Sequence, residues 1–443
     1  MPTPTRTVYF LCSPSLSIFD NWLPVLQYLR QSDSQLYFVC IIPKSGSVAL
    51  LDLEGVFIKI AESIFDEVVY RLHSDLWVRS ESFGASRCRN AVTGVEALIT
   101  KMLLRMDRFL VARPVIRVIK VLYKVVDQYR YSKHIVDIYD VCSKPGVLLY
   151  DIYEEWKPYN LDIVSALREK DRFSICHGVD VNQDPIVDRS MEVHVNEKLR
   201  VYLFSEYEKD YYINTFGLHE SHLKVVGIPK HDEDWLERIA DESPSVSIDF
   251  SSEDHVFLIS RPISPYLTYE RKKEVLTDIK KLLIDELNIN IVVKLHPKEG
   301  GDGLFELVFG KENLGSKWTY SNLHPFVLVG KCLFVISFYS SVVVDMARLQ
   351  VPAIEYLNLR NLNMYDTVDA LRVKNDPVLS YRYLGLVLGA SDYQQFKNQV
   401  DTVLEDREKV IVDSMAAYQK YFPFNGHVSK KIAADIFSSI AAC

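Results

Sequence analysis

The feature that most constrains this chain is a recurring alternation. Short runs of β-branched and aromatic residues, each closed by a turn or polar residue, are separated by longer stretches with helical spacing. In the first half the runs are Val8–Cys12, Leu36–Ile42, Val147–Ile152, Phe173–Cys176, Val201–Ser205 and Lys224–Val226. They are apolar nearly throughout rather than alternating, as strands covered on both faces of a parallel sheet must be. Parallel neighbours need crossover connections, so the pattern predicts βα units and a doubly wound sheet.

Gly227-Ile228-Pro229 follows the last of these runs and reads as a hinge. After a polar loop, Asp241–Asp254, a second series begins with Val256–Ser260, Ile289–Leu295, Leu333–Ser337 and Ala353–Tyr356. Helix-like segments such as Glu270–Glu286 and Val342–Leu349 separate them. The expected fold class is therefore α/β, with two Rossmann-like domains facing a cleft. The expected division is 1–226, 227–410, and a helical tail over 411–443 packing back on the first domain.

Composition removes several functions. Lys+Arg is 51 against Asp+Glu 59, a net charge of -8, which excludes a general nucleic-acid binder. The 7 cysteines are scattered and never spaced as CxxC, so no disulfide framework or zinc knuckle is expected. No GxGxxG or GxxxxGK[ST] is present. No apolar run approaches the roughly 18 residues of a bilayer span, and Met1–Arg6 lacks a signal-peptide start, so the expected compartment is the cytosol. One stretch departs from the overall charge. Between Lys101 and Lys133, helical spacing puts Arg113, Arg117, Lys120 and Lys124 on one face, either a solvated surface or a site for peripheral docking on anionic lipid at the inner face of the cytoplasmic membrane.

The strongest local signal is Ile291-Val292-Val293-Lys294-Leu295-His296-Pro297-Lys298. A buried strand there delivers an imidazole and ammonium groups to its carboxyl end, where open α/β sheets bind ligands. Pro297 favours an extended His296 and ends the strand. In a later unit the strand Leu333–Ser337 runs into Phe338-Tyr339-Ser340-Ser341 and a helix, so two hydroxyls meet free backbone N–H groups. Glu355, ending the following strand, can accept from a ribose or base. Asp232, just past the hinge, reads either as a cleft-facing carboxylate or as the start of an acidic helix turn with Glu233 and Asp234. Lys230, Arg261 and Lys294 are the nearest cations for a phosphate or a sugar carboxylate. In the first domain, Tyr150-Asp151-Ile152-Tyr153-Glu154-Glu155-Trp156 ends a strand with carboxylates and aromatics suited to a sugar hydroxyl and a sugar face. Glu154 and His177 are the two candidate bases there, with Asp151 and Tyr153 on the acceptor side.

These residues carry a resemblance. Lys294-Leu295-His296-Pro297, then a strand, a Ser-Ser pair and a helix, resembles the GT-B glycosyltransferases of bacterial surface polysaccharides. Related patterns occur in polysialyltransferases, CDP-glycerol polymerases and capsule Kdo transferases. An Asp usually stands in the polymerases where Phe338 stands here. Cys176-His177-Gly178 resembles their His-Gly element. Val225-Val226-Gly227-Ile228-Pro229-Lys230-His231-Asp232 is most similar to the retaining β-Kdo transferase domain of the WbbB type, glycosyltransferase family 99.

That resemblance implies a GT-B architecture and transfer of Kdo from CMP-Kdo, with retention, to a lipopolysaccharide O-chain or capsule-type acceptor. It implies a donor held by the second domain, where the candidate contacts are Lys230, Arg261, Lys294, His296, Pro297, Ser340, Ser341 and Glu355. It also implies a lipid-linked glycan at the first domain, no metal or other cofactor, and a place as one module of a longer polypeptide. Asp232 would be the nucleophile of a double displacement. The competing expectations are a CDP-alcohol phosphotransferase, a sialyltransferase of related fold, and a non-catalytic glycan-binding module. An acidic-triplet metal site at Asp232-Glu233-Asp234 is disfavoured, and His231 and His324 read as structural.

Overall fold

The computed structural model describes residues 6–13, 16–43, 56–72, 76–80, 133–155, 157–179, 197–243, 255–264, 266–297, 299, 303–358, 370–373 and 376–442. The basic face at 101–132 and Lys298 lie outside the described residues.

Nine strands form the first sheet: β1 Thr7–Leu11, β2 Tyr37–Ile42, β3 Glu67–Arg71, β4 Trp77–Ser80, β5 Ile135–Val136, β6 Gly146–Tyr150, β7 Asp171–Ile175, β8 Leu199–Leu203 and β9 Leu223–Val225. Their order is β5-β4-β3-β2-β1-β6-β7-β8-β9. Among the described residues only β4 runs against its neighbours. The centre is β1, where Val8, Tyr9, Phe10 and Leu11 are all fully buried. Here the winding direction reverses, with β2 on one side and β6 on the other. Such a switch point opens a crevice beyond the carboxyl ends of the two strands. Gly146 makes the β1–β6 approach possible, since a Cβ there would stand 1.8 Å from the Thr7 carbonyl oxygen.

The second sheet contains β10 His255–Ile259, β11 Asn290–Lys294, β12 Trp318–Tyr320, β13 Cys332–Ser337, β14 Ala353–Tyr356 and, after an antiparallel hairpin (β15 Ala370–Val373 and β16 Asp376–Leu379), β17 Leu388–Ala390. The order β12-β11-β10-β13-β14-β17 is parallel throughout, and its switch point lies between β10 and β13. Two parallel, doubly wound sheets with their helices are the expected fold class. The helix expected over Glu270–Glu286 is α-helical from Tyr269 to Ile279 and widens to a π-helix over Lys280–Glu286. No helix among the described residues is long and apolar enough to cross a membrane.

The connection between the sheets is pinned by the C-terminal segment. Gly227 has φ +96°, and a Cβ on it would meet the Pro423 carbonyl oxygen at 2.1 Å, so both conformation and space require glycine. The last helix, Val428–Ala442, packs against the helix Leu16–Ser32 of the first sheet. Asp232 ties the hinge to that last helix. Its Oδ1 accepts from the Val428 N–H at 2.9 Å and its Oδ2 from the Ser429 N–H at 2.7 Å.

A buried polar cluster lies beside this clamp. Asp345 accepts from Lys230 at 2.7 Å and pairs with His231 Nε2 at 2.7 Å, while His231 Nδ1 meets the Tyr418 hydroxyl at 2.7 Å. Asp20, on Leu16–Ser32, accepts from Trp235 Nε1 at 3.0 Å and pairs with His324 Nε2 at 3.2 Å. Burial raises the Asp20 pKa, but His324 and then Lys230 and Trp235 bring it below the ordinary carboxylate value.

Candidate active site

In the first domain, chemistry collects at the carboxyl ends of β6 and β7, next to the switch point. β6 stops at Tyr150, and the Ile152 N–H turns to the Ser174 hydroxyl at 2.8 Å, which bends the chain into a short 3-10 turn. Asp151 caps that turn through Oδ1, accepting from the Tyr153 N–H at 3.0 Å. Its Oδ2 accepts from the backbone N–H of His177 at 3.2 Å and lies 2.5 Å from His177 Nδ1. A carboxylate can only accept, so in the neutral imidazole the shared proton sits on Nδ1 and Nε2 carries the lone pair. Asp151 is fully buried, whereas the His177 side chain is 45% exposed. The result is an oriented imidazole with its basic nitrogen away from the carboxylate.

Glu154 is buried behind this pair. Its Oε2 accepts from Asn160 Nδ2 at 2.8 Å, and burial together with the nearby Asp151 pushes its pKa up to about 7. A buried acid raised in this way favours the protonated, folded state. Its contribution to stability is complete below the unfolded value near pH 4.5 and is lost as pH rises through about 7. Glu154→Gln should therefore flatten the stability profile over that window, by up to about 3 kcal/mol. Denaturant titrations at pH 5 and pH 8 measure it; parallel profiles for parent and variant would count against it. Tyr153 packs edge-on to the His177 ring, and its hydroxyl meets that of Tyr211 at 3.0 Å.

In the second domain the corresponding edge is built from the turns after β10, β11 and β13. Arg261, just past β10, donates to the Tyr339 carbonyl across the switch point and lies over the Tyr266 and Tyr339 rings at 5.2 and 5.1 Å. Tyr339 takes φ +83°, a strained value for a residue with a side chain, held by the strand-to-helix turn. Ser340 Oγ accepts from the Val342 N–H at 3.4 Å, and Ser340 and Ser341 are both partly exposed. The backbone N–H of His296 donates to Glu299 Oε2 at 3.1 Å, and Pro297 is exposed. Glu299 also accepts from the Ser260 hydroxyl at 2.8 Å and from Lys272, so the His296 turn is fastened to the end of β10. Lys272 and Glu299 were not identifiable from the sequence, because a charged pair this deep looks like any helix lysine and loop glutamate.

The two edges meet. A Cβ placed on Gly178, the residue after His177, would stand 3.9 Å from Ser341 Oγ. The His177 turn of the first domain and the Ser340-Ser341 turn of the second thus face each other across the interdomain crevice.

Four expected site residues are placed elsewhere. Asp232 does not face the crevice: it is fully buried with both oxygens used on the last helix, and burial raises its pKa more than the Ser429 and Val428 donors lower it. Lys230 is committed to Asp345 and stands 3.8 Å from Asp20. Lys294 Nζ donates to the carbonyls of Leu323 at 2.7 Å and Asn322 at 3.3 Å, fastening it to the loop that follows β12. Glu355 is fully buried against Arg382 at 2.7 Å, and burial raises its pKa to about 7 despite that arginine. Arg382 also donates to the carbonyls of Glu355, Leu357 and Ala390, joining the ends of β14 and β17.

No protein-family model matches the chain, and no curated protein sequence matches it. Solved structures do. A UDP co-structure of MnaA from S. aureus aligns with TM-score 0.53 and 10% identity, over 99% of this chain and 98% of that one. The wall teichoic acid polymerase TagF, in an H444N form soaked with CDPG, aligns with TM-score 0.52 and 10% identity over 99% and 89%. The UDP-GlcNAc 2-epimerase of Methanocaldococcus jannaschii, in complex with UDP-GlcNAc and UDP, aligns with TM-score 0.50 and 13% identity over 98% and 99%. At such identities the likeness establishes the fold: this chain has the GT-B-like arrangement of two Rossmann-like domains.

Proposed function

We propose that this chain is a transferase of GT-B type acting on a nucleotide-activated sugar, with His177 as the base that activates the acceptor. The observation that carries the reading is the Asp151–His177 pair set opposite the Ser340-Ser341 turn. A phosphate is already a competent leaving group, so the reaction needs its developing charge stabilised and a nucleophilic hydroxyl deprotonated. Arg261, the Ser340 and Ser341 hydroxyls and His296 supply the first; the His177 lone pair supplies the second. The fold neighbours support this, since their structures hold UDP, UDP-GlcNAc or CDPG.

Within that class we propose a CMP-linked sugar, CMP-Kdo foremost, on the resemblance carried by Lys294–Pro297 and Val225–Asp232. The geometry favours direct attack by the acceptor over a covalent intermediate on Asp232, because that carboxylate would first have to release the last helix. Incubation with CMP-Kdo, CMP-sialic acid, CDP-glycerol and UDP-GlcNAc, each with glycan acceptors, tests it by nucleotide release and product analysis. Acceptor-dependent CMP release from CMP-Kdo or CMP-sialic acid, with a glycosylated product, is the expected result. Turnover of CDP-glycerol alone, or glycan binding with no turnover of any donor, would overturn the CMP-sugar reading.

A further inference from the structure

Asp151, Cys176 and His177 do more than form a base pair. One ligand-type atom from each, a carboxylate oxygen, a thiol sulfur and a ring nitrogen, falls within 4.8 Å of the others. Cys176 Sγ lies 4.0 Å from His177 Nδ1, which lies 2.5 Å from Asp151 Oδ2. Cys176 is held in place because Asn21 Nδ2 donates to its carbonyl oxygen at 3.1 Å. Two of the donors are buried, and the third is on a side chain that is 45% exposed.

We propose that this triad is a binding site for Zn²⁺, with its fourth coordination position open to the interdomain crevice. The donor set decides the metal class: one sulfur, one nitrogen and one oxygen suit a borderline ion in tetrahedral geometry rather than Mg²⁺ or Ca²⁺. Bond lengths of about 2.0–2.3 Å place ligand atoms roughly 3.3–3.8 Å apart in a tetrahedron. The sulfur–nitrogen distance is already near that range, and the short carboxylate–imidazole contact opens when the ion replaces the proton between them. Binding releases the Cys176 thiol proton to water, and the imidazole proton moves from Nδ1 to Nε2. Thiolate and carboxylate then balance the ion's charge, which suits a partly buried position.

The remaining described thiols, Cys12, Cys40, Cys142 and Cys332, belong to no such group of ligand-type side chains among the described residues. Because zinc-bound His177 carries its proton on Nε2, the ion would block the base; this consequence alone rests on the reaction proposed above.

The test uses the full chain and Zn²⁺ alone, by calorimetric titration against a competing chelator, with Co²⁺ absorption to report thiolate ligation. We expect one ion bound with a Kd tighter than about 1 μM. Cys176→Ser should weaken it at least about tenfold and abolish the sulfur-to-cobalt charge-transfer band. His177→Asn, on a half-exposed residue, provides a second readout independent of core packing and should weaken binding similarly. Millimolar binding by the parent, or unchanged affinity in Cys176→Ser, would overturn the site. If the parent fails to bind zinc tightly and His177→Asn is inactive, the zinc site falls and the base assignment stands.

Discussion

His177→Asn should lower turnover of the nucleotide-sugar donor by roughly 10²–10⁴-fold, the usual contribution of a positioned general base. Asparagine keeps a donor towards Asp151, so folding and nucleotide affinity should be preserved. The loss should therefore appear in kcat with little change in the calorimetric affinity for CMP. Asp151→Asn should reproduce part of the loss, because an amide towards Nδ1 no longer favours the tautomer with a basic Nε2. Undiminished kcat in the His177 variant would move the base elsewhere, with Glu154 the other candidate.

The second large effect concerns Asp232, and it is an effect on stability. Replacing its carboxylate by an amide leaves one oxygen for two backbone donors and turns an N–H towards another N–H. Each hydrogen bond to the charged group is worth roughly 1.5–3 kcal/mol, so Asp232→Asn should destabilise the protein by about 3 kcal/mol. The weakened element is the C-terminal helix, Val428–Ala442, whose first turn Asp232 caps from the hinge. Limited proteolysis should cut the variant near Pro423–Gly426 faster than the parent, and denaturant unfolding should begin earlier. Intact-mass spectrometry after incubation with donor separates the two roles. A clamp gives no adduct at Asp232, whereas a glycosyl ester mapped there would establish the nucleophile suggested by the resemblance.

The difference between these two residues shows what a sequence of this kind makes legible. Strands covered on both faces, such as those containing Val8–Leu11 or Val256–Ile259, are continuous apolar runs and are readable directly. β3, with Glu67 and Arg71 at its ends, and β17, three residues including Gly389, give no such run; neighbouring strands make them strands. That Asp151 and His177 each follow an apolar strand run was legible; that the two side chains meet, 26 residues apart, was not. Nor was the role of Asp232, since its partners stand 196 and 197 residues further along the chain. Lys294 shows the same limit. A lysine ending a strand looks identical whether it meets a phosphate or, as here, the carbonyls of Asn322 and Leu323.

In the proposed reaction a nucleotide-linked donor lies in the crevice between the His177 turn and the Ser340-Ser341 turn. Hydrogen–deuterium exchange of the full chain, with and without saturating CMP, tests that placement most directly. Slower exchange is expected at Arg261–Ile263, His296 and Tyr339–Val342, with a smaller change at His177–Val179 across the crevice. Protection confined to the Asp232 hinge or the last helix, with none at these turns, would contradict it.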